Sequence, residues 1–119
     1  MLVMFGGALG SATRYAVGTA INVRVGPRFP LGTIVINITG SFLIGFLMIL
    51  LTERLQLNPN WRLLLVVGFL GGYTTFSSFE FETYQAIRDG GYWIGLANVV
   101  ASVVLGFAGV WLGATLARR

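Results

Sequence analysis

Four apolar runs, Leu2 to Val23, Leu31 to Leu51, Leu63 to Ile87 and Tyr92 to Leu116, take up most of this 119-residue chain. A helix rising about 1.5 Å per residue crosses a bilayer core in about 20 residues, so each run is long enough to span. The links between them are Arg24 to Pro30, Thr52 to Arg62 and Arg88 to Gly91. They carry the proline, glycine and charge of connecting turns, and none is long enough to hold a domain. The pattern predicts an all-α membrane protein: one four-helix transmembrane domain over residues 1–119. Composition agrees. Only 10% of the residues are charged, against roughly 25% in a soluble domain, and the mean hydropathy is +0.80. Trp61, Tyr84, Tyr92 and Trp93 fall at predicted helix ends, where indole and phenol rings favour the headgroup zone. The first run has no basic leader and precedes three more spans, so it reads as a retained helix.

The chain has no cysteine and no histidine. This excludes disulfides, thiol nucleophiles and imidazole bases, and leaves no zinc or haem ligands of the usual kind. Its eight basic residues are all arginines, and only Arg118 and Arg119 are adjacent. That scatter argues against a nucleic-acid surface and for contact with lipid headgroups. With four spans, one membrane side carries Arg54, Arg62, Arg118 and Arg119, and the other carries Arg24, Arg28 and Arg88. So even a count leaves almost no positive-inside signal. Either the chain inserts in both orientations and pairs as an antiparallel dual-topology homodimer, or one extra charge or the lipid orients it.

Three glycine pairs at GxxxG spacing, Gly6/Gly10, Gly68/Gly72 and Gly109/Gly113, lie on separate spans and let membrane helices approach closely. The third span departs from a plain anchor. Its stretch Gly71-Gly72-Tyr73-Thr74-Thr75-Phe76-Ser77-Ser78-Phe79-Glu80-Phe81-Glu82 places two glycines and four hydroxyls near mid-depth. Adjacent glycines weaken a helix and hydroxyls satisfy freed backbone groups, so the third helix is expected to break there. A broken helix of this kind lines a transport site, and a kinked helix with hydroxyls bonded back to its own carbonyls is the plainer alternative. Asn37, about six residues or roughly 9 Å inside the second span, offers an amide to an anion or to a neighbouring helix. Asn98 and Ser102 share a face of the fourth span and, with Thr75 and Ser78, form a candidate polar track. Phe76 and Phe79 are three apart and share a face; their ring edges can attract an anion without trapping it. Arg14, in the middle of the first span, costs about 2.5 to 3.5 kcal/mol to insert and needs a partner or a wet vestibule. Glu80 and Glu82 point to different sides of a helix, which makes an acid/base pair improbable, and Glu82 near the helix end is expected to be solvated.

The segments GGALGSATRY (Gly6 to Tyr15), PLGTIVINITGSFLIG (Pro30 to Gly45), GFLGGYTTFSSFEFE (Gly68 to Glu82) and NVVASVVLG (Asn98 to Gly106) resemble, in order, the Fluc or CrcB-like bacterial fluoride channels. The match runs over essentially the whole chain. The resemblance implies passive fluoride export across the bacterial cytoplasmic membrane through two pores of an antiparallel homodimer, without enzymatic activity. It implies pore roles for Asn37, Phe76, Phe79 and Ser102 and a vestibule position for Arg14. It also implies a structural sodium ion at the dimer centre, held by the backbone carbonyls of Gly71 and Thr74. At Glu80 the chain departs from the family, which commonly has a small hydroxyl residue there. A proton-coupled exporter like the small multidrug-resistance proteins, also tiny dual-topology dimers, is the competing reading. Those proteins depend on a glutamate in the first span, where this chain has Arg14 and no acid.

Overall fold

The computed structural model describes residues 1–26 and 29–119; Arg28, counted above among the loop arginines, lies outside them. The described residues are helical and contain no strand. Helix α1 runs Leu2–Val25. Helix α2, Leu31–Met48, continues through the wide π-turns of Ile49–Arg54. The third span begins with α3 (Pro59–Arg62), widens into π-turns over Leu63–Leu70, tightens in α4 (Gly71–Tyr73) and resumes as α5 (Ser77–Arg88). Helix α6 runs Tyr92–Arg118. Helix starts and stops follow local chemistry. Asn58 caps the third span, its side-chain oxygen accepting from Asn60 N at 2.9 Å, with Pro59 in the first turn. The α5–α6 turn passes through Gly90 at φ 87°, a left-handed conformation that glycine adopts without strain.

Among the described residues three segments are long and apolar enough to cross a membrane: Leu31–Arg54, Pro59–Arg88 and Tyr92–Arg118. Helix α1 has the length, 24 residues, but Gly6, Gly7, Gly10, Ser11, Thr13, Arg14, Thr19 and Asn22 dilute its apolar character. The glycines among them serve packing. A Cβ on Gly6 would meet the backbone of Leu64 and come 2.9 Å from Phe69 N; one on Gly72 would lie 2.6 Å from Gly7 O. Helix α1 and the third span therefore touch backbone to backbone, as small-residue pairs permit. On the other flank α2 lies along α6, where a Cβ on Gly113 would meet Phe42 O and approach Phe46 N to 2.9 Å. Between the two flanks Ile36, Leu70 and Tyr73 form the core. Arg54 Nη1 donates to Ala117 O at 3.0 Å, and the Arg118–Glu53 pair at 3.8 Å lies beside it. These contacts hold the C-terminus of α6 against the second loop. Trp61, Tyr84, Tyr92 and Trp93 are all exposed.

Candidate functional site

The third span does break, but the glycines are not where it breaks. Gly71 and Gly72 remain helical, and the chain turns extended at Thr74 (φ −88°, ψ 159°) before α5 starts at Ser77. Adjacent glycines were expected to loosen the helix; the α1 backbone packed against Gly72 holds this turn in place. Part of the freed main chain, both groups of Thr75 and the carbonyl of Gly72, is satisfied from neighbouring helices. Asn37 Nδ2 donates to Thr75 O at 3.0 Å, while Thr75 N donates to Asn37 Oδ1 at 3.1 Å. The amide thus pairs with Thr75 as a second peptide group would, and keeps one N–H free. Arg14 Nε donates to Gly72 O at 3.1 Å, which supplies the partner that a mid-helix arginine needs. Thr74 spends its hydroxyl on Leu70 O at 2.9 Å. Thr75 Oγ1 accepts from Ser78 N at 3.3 Å and so caps α5.

The carbonyls of Gly71 and Thr74 accept no hydrogen bond from a described group, because the N–H groups of Thr75 and Ser78 that would reach them in a continuous helix are bonded elsewhere. Gly71 is exposed on the single chain. Two neutral, hard oxygens left in this state are the donor chemistry that a monovalent cation accepts.

A groove of about 690 Å³ opens beside the break, lined by Asn37, Thr75, Phe76, Phe79 and Ser102 among others. The two rings lie 5.8 Å apart at 56°, with Phe79 6% and Phe76 74% exposed. A second cavity of about 330 Å³ contains Arg14, Asn22, Thr33, Ser78 and Glu82. Thr75 lines both. The structure therefore brings Asn37, Thr75, Phe76, Phe79 and Ser102 together, and puts Arg14 and Ser78 on the far side of Thr75.

Three placements were not foreseen. Glu82 is not a solvated end residue: its Oε1 accepts from Thr33 Oγ1 at 2.8 Å, and its Oε2 is buried with no partner among the described residues. The reason is that α5 packs this face against the start of α2, whereas Glu80 on the other face is exposed. Thr33 and Asn22 were missed altogether. The i, i+4 spacing of Thr33 and Asn37 puts them on one face of α2 and was the available signal.

The family model described as CrcB-like protein, Camphor Resistance (CrcB), matches residues 1–114. A protein of Solibacter usitatus (strain Ellin6076) is 67% identical over 119 residues, covering 100% of this chain and 98% of its own length. One of Hydrogenobaculum sp. (strain Y04AAS1) is 51% identical over 113 residues, covering 95% and 92% respectively. One of Coxiella burnetii (strain CbuK_Q154) is 47% identical over 120 residues, covering 100% and 97%. Each of the three is named a fluoride-specific ion channel, FluC.

Proposed function

This chain belongs to the CrcB-like family, and from that premise we propose that it is a passive fluoride-specific ion channel, not an enzyme, whose conduction path runs through the groove beside the break. The observation that carries the site assignment is a set of unspent neutral donors. One Asn37 N–H and the hydroxyl hydrogens of Thr75, Ser78 and Ser102 have no acceptor among the described residues. A small anion leaving water loses tens of kcal/mol of solvation unless oriented donors replace it. Amide, hydroxyl and ring-edge donors do so without a fixed positive charge that would hold the ion. Phe76 and Phe79 supply the ring edges. Thr75 joins the groove to the second cavity, which serves as a vestibule where Arg14 draws anions in from solution.

The same reading makes α1 the fourth span, its glycines trading apolar surface for contact with the third. It makes the functional unit an antiparallel homodimer in the bacterial cytoplasmic membrane, with two pores and lipid around it. Support comes from the near-equal arginine counts of the two loop sets and from the exposure of Gly71 and Phe76 on a single chain. A two-fold axis beside Gly71 would double the unpartnered carbonyls of Gly71 and Thr74 to four, a site for a structural sodium ion. Bound there, the ion would offset the partial negative charge of the four carbonyl oxygens between the subunits, apart from the pores.

The test is efflux from proteoliposomes. Fluoride is expected to leave without a proton gradient while chloride is retained. Efflux that requires a proton gradient would overturn the passive-channel reading.

A further inference from the structure

Asn98 is fully buried, at 0% exposure, in the middle of the α5–α6 contact. Its Nδ2 donates to Thr83 Oγ1 at 2.8 Å, and Thr83 Oγ1 in turn donates to Phe79 O at 2.8 Å. A threonine hydroxyl has one hydrogen. Because that hydrogen is committed to Phe79 O, Thr83 can only accept from Asn98, and the amide cannot turn over. Asn98 Oδ1 is therefore directed away from Thr83, and it is buried with no donor among the described residues. One helical turn further along α6, Ser102 Oγ is likewise buried with no partner among them. The two atoms are not hydrogen-bonded to each other, and the Cβ atoms of residues four apart on a helix stand about 5–6 Å apart, which puts the two oxygens within reach of one shared partner. A buried water needs two to four polar partners.

We propose that a single water molecule is bound between Asn98 Oδ1 and Ser102 Oγ and holds the Ser102 hydroxyl ready to donate into the groove. Asn98 Oδ1 is acceptor-only, so the occupant must donate to it; an anion is repelled there and water is not. The water's second hydrogen goes to a lone pair of Ser102 Oγ. This leaves the one hydroxyl hydrogen of Ser102, which lines the groove, free for an anion. When the groove holds no anion, the same hydroxyl rotates and donates to the water oxygen, and the water turns its second hydrogen away from Ser102 Oγ while keeping its bond to Asn98 Oδ1. Ser102 is then hydrogen-bonded in both states. Asn98 is a positioning residue in this scheme: it acts on the ion only through the water and Ser102. The water site stands on the hydrogen-bond geometry alone; its link to conduction rests on the fluoride-channel reading above.

An experimental density map that resolves ordered water, taken with and without fluoride, tests the site itself. A peak within hydrogen-bonding distance of Asn98 Oδ1 and Ser102 Oγ is expected in both. No peak, or one that vanishes without fluoride, overturns the proposal. In flux assays Ser102→Ala is expected to lower fluoride efflux about tenfold or more, the weight of a hydrogen bond to a charged group. Asn98→Leu is expected to lower it by a smaller factor, and the double variant to be no slower than Ser102→Ala. Losses that multiply in the double variant, or wild-type efflux in a folded Asn98→Leu protein, would show that the two residues act separately. If Asn98→Leu does not fold, the wild-type map decides. A wild-type protein that passes no fluoride would overturn the channel reading while the same map still judged the water.

Discussion

Replacing Asn37 by leucine conserves size and removes both hydrogen bonds that pin Thr75 in the break. Each such bond contributes about 1 kcal/mol net, and an N–H or C=O stranded in a buried site costs about 1–3 kcal/mol. Thr75 borders two cavities, so water can reach its backbone in part, which puts the total near the low end at about 2–3 kcal/mol. At about 1.4 kcal/mol per factor of ten, that is a roughly 30- to 150-fold shift in the folding equilibrium. The measurement is unfolding of the detergent-solubilised protein, followed by helix signal, beside fluoride efflux from liposomes. Asn37→Asp separates the two roles of the amide. As a carboxylate it still accepts from Thr75 N–H, but it presents an oxygen to Thr75 O and a negative charge to the groove, so efflux at neutral pH should be abolished. Protonated, the carboxyl O–H can donate to Thr75 O and restore the pair. The folded state then binds the proton more tightly than the unfolded chain does, so the stability of Asn37→Asp should rise as pH falls. Wild-type stability in Asn37→Leu, or no pH dependence in Asn37→Asp beyond that of the wild type, would refute the clamp.

Phe76→Ile and Phe79→Ile each keep apolar bulk and delete a ring edge, so fluoride efflux should fall sharply in both. The buried Phe79 variant should also lose stability, and unchanged efflux would return both rings to packing. A C-terminal tag should be accessible from both membrane faces, and a one-sided result would refute dual topology. Exchanging sodium for a bulky organic cation should weaken the dimer, whereas full stability and activity after exchange would mean that the Gly71 and Thr74 carbonyls are satisfied otherwise. Gly113→Ala drives a methyl group against Phe42 O and Phe46 N and should cost about 1–3 kcal/mol of stability. Gly7→Ala, whose Cβ meets nothing nearer than Gly68 O at 3.7 Å, should be close to neutral when the two are unfolded side by side.

The sequence by itself determined the all-helical membrane class, because hydropathy and run length are local properties and the bilayer demands apolar helices of a minimum length. It also determined that the third span is interrupted between Gly71 and Ser78, since hydroxyls and glycines in a membrane helix are visible without knowing their neighbours. The family was legible too, from the stretches around Asn37 and Phe76, and the family model and the relatives match nearly the whole chain. Where within that stretch the helix opens was decided only in three dimensions. Propensity pointed to the glycines, but a glycine's tendency to loosen a helix counts for little once the backbone of α1 packs against Gly72, and the extended conformation settled at Thr74 and Thr75, where Asn37 supplies the missing peptide partner. The same holds for Arg14 on Gly72 O, Glu82 on Thr33 and Asn98 on Thr83. Each of these pairs joins residues on different helices, 15 to 58 positions apart. Hydrogen-bond partners at such separations depend on helix rotation and register, which the glycine contacts set and which no local window of sequence contains.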